Sequence, residues 1–385
     1  MEGGMVKILH TGDLHLDAPF SLYDVRKAQA RKNELRGVFS SIVFYAKTEK
    51  VDMVIISGDF FDHGFVTKET LEHINGQFES APACKFVIAP GNHDCADPKS
   101  PYKKAVFPPN VYIFGSEELS KFEFPDIGVD VYGWAFTSPE MEKCPIEHYV
   151  KVNPERINIL ACHGDMLTKN SRSCPLTTDD IARSNCDYAA LGHIHAGTEA
   201  KRAGNTYYAY CGCPEGRSFD ECGTKGAIIC TFERQSGGFL KTDFIYKRFC
   251  RRKYEKLTVD ITGAGSRSEV ISAIKTAMTK KSVGADTLLR VTLTGAVSPV
   301  AELKTDRITD GDIGVFYLEL RDETSPVLSA DILRDDLSIK GAFYRELLPK
   351  LESDDPEERR AASMALKYGL AALSGSDVVD FRNLF

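Results

Sequence analysis

The chain has 385 residues, of which 43% are hydrophobic and 27% are charged, the composition of an ordinary folded protein. This balance excludes a wholly disordered, fibrous or coiled-coil chain, and the length predicts roughly two or three domains. The formal net charge of −7 at pH 7 excludes a global positive field that would attract nucleic acid or anionic lipid, so a polyanion must bind at a local patch or through a metal.

The amino terminus carries no basic segment followed by an apolar one, and no apolar run approaches the length that spans a membrane. We therefore expect a cytoplasmic protein without a membrane partner. The 11 cysteines include no C-x-x-C pair, and their odd number fits poorly with a complete set of disulfides, so we expect reduced thiols.

In the first half of the chain, short apolar strands end repeatedly in clusters of polar residues. Such strands are predicted at 6–10, 53–57, 86–89, 157–162 and 188–191. The segments 26–47 and 67–79 have the length and composition of helices, which indicates βαβ units and a largely parallel sheet. Because ligands of such sheets bind beyond the carboxyl ends of the strands, the polar clusters are expected to face one site.

After residue 195 the pattern is one of strands, predicted at 206–210, 227–232 and 243–246. A strand at 257–261, a helix at 268–279 and a strand at 287–294 then indicate a small α+β domain over residues 251–330. The tail, residues 331–385, is predicted to be helical, because Asp355, Pro356 and Glu358 form a capping-box-like start. Such a helix either folds back on the protein's own core or docks on a partner.

The polar clusters contain the donors of a metal centre: Asp13 and His15, Asp59 and Asp62, Asn92 and His93, His163, and His193 and His195. Carboxylates, imidazoles and an amide oxygen, without a thiolate, favour Mn²⁺ or Fe²⁺ before Zn²⁺. Two such cations side by side promote displacement at phosphorus, so the predicted reaction is phosphoester hydrolysis. A single histidine or strand-end aspartate is more often structural, but five of the nine histidines fall in these clusters.

The order of the motifs, D-x-H, G-D-x-x-D, G-N-H-D, H-G and G-H-x-H, resembles the calcineurin-like metallophosphoesterase superfamily over about residues 5–250. Within it, the segments Asp13–Asp17, Gly58–Asp62 and Cys213–Phe219 and the added carboxyl-terminal part resemble the SbcD-like DNA repair exonucleases, the nuclease halves of SMC-type ATPase complexes. The resemblance implies an α/β fold: an αββα sandwich over residues 1–250, a capping domain over 251–330, and a helical tail over 331–385 that binds the ATPase.

The resemblance also implies a role for each site residue. One metal is held by Asp13, His15, Asp59 and His195, and the other by Asp59, Asn92, His163 and His193, with Asp59 as the bridge. His93 contacts the scissile phosphate and acts as the general acid toward the leaving 3′ oxygen, while Asp94 and Asp62 orient His93 or the ligands. Two divalent ions are implied, Mn²⁺ before Fe²⁺ or Zn²⁺. His63, next to Asp62, could also reach the site.

The first functional hypothesis is a Mn²⁺-dependent DNA exonuclease that digests duplex ends from 3′ to 5′ and works with an SbcC-like SMC-type ATPase. A phosphodiesterase or phosphatase for nucleotides or other small phosphoesters is the alternative, since the metal motifs are shared across the superfamily. A non-catalytic scaffold of the same fold is the third, although this chain retains a candidate at every metal position.

Contacts with partners are predicted from charge and from the resemblance. The basic run 247–253 could hold a phosphate backbone, and a solvated surface is the alternative. Lys99, Lys103 and Lys104 with Tyr102 could contact a nucleic-acid strand by charge and stacking. The helix at 26–47 could form a homodimer, as helices of the first domain do in the resembling family.

Overall fold

The structure, a computed structural model, describes residues 5–62, 66–234, 240–297, 303–326 and 330–373. The described residues divide into two compact units. The first takes the described residues within 1–256, 283–290 and 315–317, and the second takes those within 257–282, 291–314 and 318–385. The predicted division into domains at residues 250 and 330 stays a prediction.

The helices of the first unit confirm the two that the sequence predicts at 26–47 and 67–79, to within one residue at each end. In chain order the elements are β1 (Val6–Thr11), α1 (Val25–Thr48), β2 (Met53–Ile56), α2 (Lys68–Ser80), β3 (Lys85–Ile88), α3 (Pro101–Lys104), β4 (Val111–Ile113), β5 (Ser120–Phe124), β6 (Val129–Gly133), β7 (Ile157–His163), α4 (Thr178–Ser184), β8 (Tyr188–Gly192), β9 (Lys201–Ala203), β10 (Thr206–Tyr210), β11 (Gly226–Arg234) and β12 (Leu240–Arg248).

Side-chain caps fix the starts of α1 and α2. Asp24 accepts a hydrogen bond from the backbone N–H of Lys27 at 2.9 Å, and the Thr67 hydroxyl accepts one from the backbone N–H of Thr70 at 3.2 Å. These bonds satisfy amide groups that the first turn of a helix leaves without partners. Each cap therefore also fixes where the loop after β1 or β2 ends.

Within the described part of the chain, the strands of the first unit form two six-stranded sheets, in the orders β12-β11-β1-β2-β3-β4 and β5-β6-β7-β8-β10-β9. Strands β1 to β4 are parallel, and β11 and β12 are antiparallel to their neighbours. In the second sheet β6, β7, β8 and β10 are parallel, with antiparallel β5 and β9 at the edges. Parallel strands bring their carboxyl ends to one edge, so the loops after β1, β2, β3, β7 and β8 collect there.

Apolar layers lie on both faces of each sheet. One face of the first sheet packs on α1 and α2 around Phe39 and Phe78. Its other face packs on the second sheet, where Ile55 and Ile159 belong to one buried cluster. The outer face of the second sheet is covered by α4 and by the segment around Trp134. The first unit is therefore the αββα sandwich that the sequence predicts.

The described part of the chain after β12 combines strands and helices. The remaining elements are β13 (Lys253–Asp260), α5 (Arg267–Lys281), β14 (Thr287–Thr294), β15 (Ala296–Val297), a 3₁₀ turn (Thr305–Arg307), α6 (Asp310–Ile313), β16 (Tyr317–Asp322), β17 (Ser325–Pro326), α7 (Ala330–Asp335), α8 (Ile339–Leu351) and α9 (Pro356–Leu373). Strands β13, β14 and β16 form a three-stranded sheet, and β15 pairs with β17.

Helices α7, α8 and α9 pack on one another around Leu333, Tyr344 and Leu366. Helix α9 begins at the predicted residue, Pro356, where Asp355 accepts a hydrogen bond from the backbone N–H of Glu357 at 2.9 Å. Among the residues that the structure describes, none of the helices combines the length and the apolarity needed to cross a membrane.

Candidate metal centre

Residues from five strand ends, belonging to both sheets, meet at one edge of the sandwich. In the first sheet, Asp13 and His15 follow β1, Asp59 and Asp62 follow β2, and Asn92, His93 and Asp94 follow β3. In the second sheet, His163 ends β7, and His193 and His195 follow β8. The distances between these side chains separate them into two groups of donors joined by one carboxylate.

The first group consists of Asp13, His15, Asp59 and His195, whose ligand atoms all lie within 4.8 Å of one another. The Nε2 atom of His15 is 3.3 Å from Nε2 of His195 and 3.5 Å from Oδ2 of Asp59. The Nε2 atom of His195 is 3.7 Å from Oδ1 of Asp13. Two carboxylates and two imidazoles that converge in this way fit a divalent cation, and we call this group the first position.

The second group consists of Asn92, His163 and His193, together with Asp59. The Nε2 atom of His163 lies 2.8 Å from Oδ1 of Asn92 and 3.2 Å from Nδ1 of His193. The Oδ2 atom of Asp59 is 3.5 Å from Nε2 of His163 and also 3.5 Å from Nε2 of His15. Asp59 therefore stands between the two groups, and we call the second group the second position.

Two carboxylates outside these groups hold the histidines of the first position. Asp62 Oδ1 is 3.0 Å from Nδ1 of His15, and Glu221 Oε1 is 2.6 Å from Nδ1 of His195. When Nδ1–H donates to a carboxylate, the lone pair stays on Nε2 and the imidazole becomes a more basic ligand. Both rings are therefore oriented with Nε2 toward the first position.

The imidazoles of the second position do not have carboxylate partners of this kind among the described residues. The Nδ1 atom of His163 is 3.0 Å from the backbone carbonyl oxygen of Ser57, which can only accept a hydrogen bond. This contact places the proton on Nδ1 and leaves the lone pair on Nε2. The Nε2 atom of His193 lies 3.9 Å from Oδ2 of Asp165, beyond hydrogen-bond distance.

Burial and neighbouring charges set the protonation states of the donors. Burial lowers the pKa of both His15 and His193 to about 4. Burial raises the pKa of Asp13 to about 6, which still leaves most of this carboxyl ionised at pH 7. For Asp59 burial acts in the same direction, but the charges of the surrounding histidines outweigh it and lower the pKa to about 2. Neutral imidazoles and ionised carboxylates are the forms that bind metals.

Asp94 supports the centre through the backbone. Its buried carboxylate accepts hydrogen bonds from the backbone N–H groups of Asp59 at 3.2 Å, Phe60 at 2.7 Å and Gly91 at 2.7 Å. The hydroxyl of Tyr102 also donates to it. Asp94 therefore ties the loop after β3 to the loop that carries Asp59.

His93 lies beside the first position, and its side chain is exposed. Its backbone N–H donates to Oδ1 of Asp59 at 3.0 Å, and its Nδ1 is 3.1 Å from the carbonyl oxygen of Asp62. Its ring packs edge-on against His15, with the centroids 4.8 Å apart. Asp62 thus contacts His93 through its carbonyl group and His15 through its carboxylate.

The backbone of the centre lies partly in the left-handed region. The φ angles are 50° at Asp13, 46° at His15, 48° at Asp59 and 103° at His193. Such angles are uncommon in residues other than glycine, and each costs free energy that the surrounding contacts must offset. The donors converge because their loops turn sharply at the ends of the strands.

Two glycines of the motifs leave room for the side chains of proposed metal ligands. A Cβ atom on Gly91 would lie 2.3 Å from Oδ1 of Asp59. Gly58 has a φ of +92°, and a Cβ atom there would lie 2.3 Å from Nδ1 of His163. The glycines of G-D-x-x-D and G-N-H-D are therefore required by the close approach of a carboxylate and an imidazole.

Two residues that contact the centre, Glu221 and Arg217, are not among the site residues predicted from the sequence. Glu221 binds His195, as described, and Nη1 of Arg217 donates to Oδ1 of Asp62 at 3.0 Å. An arginine and a glutamate four residues apart, in the segment that follows the G-H-x-H motif, are the feature of the sequence that could have indicated a role. This spacing alone does not identify the ligand that each residue contacts.

Several residues that the sequence predicts to contact nucleic acid have partners within the protein. The prediction that Tyr102 stacks on a strand is wrong, because this side chain is buried and donates to Asp94. In the basic run, Arg252 pairs with Glu34 at 2.6 Å, and the ammonium of Lys247 lies 4.6 Å from the ring centroid of Tyr45. These cations have internal partners. His63 lies outside the described residues.

The donor set fits two divalent cations, because every donor is a carboxylate, an imidazole or an amide oxygen and one carboxylate is shared. Bound there, such cations would supply Lewis acidity toward a phosphoester and an activated water. The identity of the metal does not follow from the donors alone, since the same ligands serve several first-row ions.

Comparison with known proteins gives the same family. Residues 6–197 match the calcineurin-like phosphoesterase family. The chain is 26% identical over 299 residues to the uncharacterized metallophosphoesterase YhaO of Bacillus subtilis, an alignment that covers 74% of this chain and 71% of the relative.

Two further relatives are named as DNA repair protein or nuclease. The DNA double-strand break repair protein Mre11 of Saccharolobus solfataricus is 26% identical over 250 residues, or 60% of this chain and 61% of that protein. One subunit of the nuclease SbcCD of Bacillus subtilis is 24% identical over 257 residues, or 57% of this chain and 64% of that protein. Both alignments span less than two thirds of the relative.

The matched segment runs from β1 through His195, so it contains both groups of donors. Glu221 and Arg217 lie beyond it. The chain therefore contains a calcineurin-like metallophosphoesterase domain.

Proposed function

We propose that this protein is a phosphodiesterase that acts on DNA as an exonuclease and uses two divalent cations, Mn²⁺ before Fe²⁺ or Zn²⁺. The observation that carries the proposal is the position of Asp59, whose Oδ2 atom is 3.5 Å from Nε2 of both His15 and His163. A carboxylate between two groups of donors suits a pair of cations that act on one phosphorus. The similarity to relatives named as Mre11 and as part of the nuclease SbcCD supports DNA as the substrate.

In this proposal, His93 is the general acid that gives a proton to the leaving 3′ oxygen. Its ring is exposed beside the first position, and its Nδ1 atom is held 3.1 Å from the carbonyl oxygen of Asp62. A proton donor must lie within reach of the leaving group and keep its orientation, and these contacts meet the second condition.

We also propose that DNA and an SMC-type ATPase are partners of the chain. The SbcCD relative is by its name one subunit of a larger nuclease, so that protein works in a complex. Residues 251–330 would cap the path of the DNA, and the helical tail would bind the ATPase. The cytoplasm is the proposed location, and a homodimer through α1 is the proposed assembly.

Hydrolysis of nucleotides or other small phosphoesters is the second candidate, and specific observations favour it. The net charge is −7, and Arg252 and Lys247 of the basic run already have internal partners. Phosphate contacts by lysine and arginine supply much of the affinity for a DNA backbone. A small phosphoester needs only the metal centre.

The test compares two substrates in Mn²⁺: an end-labelled linear duplex, and bis(p-nitrophenyl) phosphate as a small diester. The proposal predicts nucleotide release from the duplex and the loss of both activities in Asp59→Asn. The matched control, Asp243→Asn, changes an exposed carboxylate on β12 and should keep both activities. Turnover of the small diester alone, with an SMC-type ATPase present, would replace the exonuclease by the second candidate. Failure on both substrates would favour a scaffold.

A further inference from the structure

Arg217 occupies an unusual place beside the metal centre, because its guanidinium contacts two carboxylates at once. Nη1 donates to Oδ1 of Asp62 at 3.0 Å, and Nη2 donates to Oε1 of Glu221 at 3.2 Å. The backbone N–H of Arg217 also donates to Oε2 of Glu221 at 2.6 Å. Only 18% of the side chain is exposed.

Each of these carboxylates holds one histidine of the first position. Asp62 is 3.0 Å from Nδ1 of His15, and Glu221 is 2.6 Å from Nδ1 of His195. One guanidinium therefore links the supports of both imidazoles of the first position. We call Arg217, Asp62 and Glu221 the arginine bridge.

The arginine bridge is itself anchored by buried contacts. The carbonyl oxygen of Arg217 accepts a hydrogen bond from the hydroxyl of Tyr254 at 2.7 Å. The preceding carbonyl, that of Gly216, accepts one from Nη2 of Arg31 at 2.7 Å. Arg31 is fully buried and pairs with Glu215, also buried, at 2.7 Å. These contacts fix the backbone from which the guanidinium extends.

The second position has no equivalent among the described residues. Its His163 is held by a backbone carbonyl, that of Ser57, and Nε2 of its His193 is 3.9 Å from the nearest carboxylate oxygen, on Asp165. Among the described residues, a carboxylate within hydrogen-bond distance of the outer ring nitrogen of a histidine, the contact that raises its basicity as a ligand, occurs at the first position and not at the second.

An arginine in a phosphoesterase centre would ordinarily be read as a ligand of the substrate phosphate, because its planar fork matches a phosphate. Here both terminal nitrogens of the fork donate to carboxylates. A phosphate that took over these two hydrogen bonds would displace both carboxylates and so release both imidazoles of the first position. The contacts thus favour a role in holding the metal ligands.

Resting on the proposed metal centre, we propose that Arg217 is a positioning residue that sets the metal affinity of the first position and leaves that of the second unchanged. The competing physical effect is its charge. A cation near the centre repels a metal ion, so a charge effect alone would act on both positions and would weaken metal binding.

The variant Arg217→Lys separates the two effects, because lysine keeps the charge and loses the fork. The measurement is calorimetric titration of metal-free protein with Mn²⁺, without substrate. In the His193→Ala background, in which the second position is impaired, the remaining event is Mn²⁺ binding at the first position. Adding Arg217→Lys should weaken this binding about tenfold, because removing a residue that supports a metal ligand usually costs at least that much affinity. In His195→Ala, which impairs the first position, the same change should leave the remaining event as it was.

A second variant, Arg217→Gln, removes the charge as well. If Arg217 affected Mn²⁺ affinity only through its charge, Arg217→Gln would strengthen Mn²⁺ binding in both backgrounds, whereas Arg217→Lys would not change it. That result would overturn the proposal. Equal weakening in both backgrounds by Arg217→Lys would overturn it too. Arg172→Gln, which changes an exposed ion pair with Glu140, is the control and should leave both events unchanged.

The metal-free variants are first compared by urea unfolding, so that a folded protein is established before titration. If Arg217→Lys leaves Mn²⁺ binding unchanged and raises KM for a phosphodiester, Arg217 is a substrate ligand and the proposal is wrong. Because the titration uses no substrate, it is independent of the exonuclease proposal. If the protein did not cut DNA, the expected result of the titration would be the same.

Discussion

Among the residues of the centre, His93 differs from its neighbours in exposure. Asp13, His15 and Asp59 are buried, whereas the ring of His93 faces solvent beside them. A group that delivers a proton to a substrate must be accessible, and a group that only holds a metal need not be. This contrast separates the proposed general acid from the proposed ligands.

We predict that His93→Asn keeps two metal equivalents and lowers kcat on DNA by about 10²–10⁴-fold, the usual contribution of a general acid. The loss should be much smaller on bis(p-nitrophenyl) phosphate, because p-nitrophenolate leaves without a proton. The measurement is kcat on both substrates together with metal content by elemental analysis. His148→Asn, at an exposed histidine outside the centre, should change neither. Equal losses on the two substrates would remove the general-acid role.

His10 is a buried histidine that contacts no proposed ligand. Its Nδ1 atom lies 2.8 Å from the Tyr188 hydroxyl and its Nε2 atom 2.9 Å from the Ser57 hydroxyl. Burial lowers its pKa from 6.5 to about 3. In the unfolded chain His10 takes up a proton below about pH 6.5, while in the folded chain it stays neutral, so stability is lost as the pH falls from 6.5 toward 3.

We therefore predict that between pH 8 and pH 5 the wild type loses about 2 kcal/mol more free energy of unfolding than His10→Gln, which does not titrate. Urea unfolding in the presence of a chelator measures this difference without a contribution from bound metal. His148→Gln should behave as the wild type does. Equal losses in wild type and His10→Gln would show that His10 is not buried in its neutral form.

The loops after the strands need glycine where the packing leaves no room for a Cβ atom. We predict that Gly91→Ala displaces the Asp59 carboxylate, weakens Mn²⁺ binding and lowers the free energy of unfolding by about 1–3 kcal/mol, as overpacking usually does. Gly76→Ala in α2 is the matched control, since a Cβ there meets nothing within 4 Å, and it should stabilise the protein by about 1 kcal/mol. Calorimetric titration and urea unfolding measure both changes; a Gly91→Ala protein with wild-type metal affinity would contradict the described packing.

The strand ends and helices could be predicted because their signals are local. Helices α1 and α2 show in the length and composition of their segments, and β1 and β2 are short apolar runs that stop at Gly-Asp motifs. The contacts of Arg217 and Glu221 could not be predicted, because they depend on how a loop 22 to 26 residues beyond His195 returns to the centre. Nor does a basic run reveal that its cations pair internally, as Arg252 does with Glu34.

On the scale of the whole molecule, the centre depends on both sheets. The first position takes Asp13, His15 and Asp59 from the first sheet and His195 from the second, and the second position is shared in the same way. No single sheet supplies a complete ligand set in either group. The layered packing of the two sheets is therefore what brings the donors to one place.

Anomalous diffraction from crystals of the Mn²⁺-loaded protein would show whether two cations flank Asp59. We expect two anomalous peaks about 3.5–4 Å apart, one on each side of the Asp59 carboxylate, with His15 and His195 at one peak and His163 and His193 at the other. A single peak, or two peaks that do not share Asp59, would contradict this expectation.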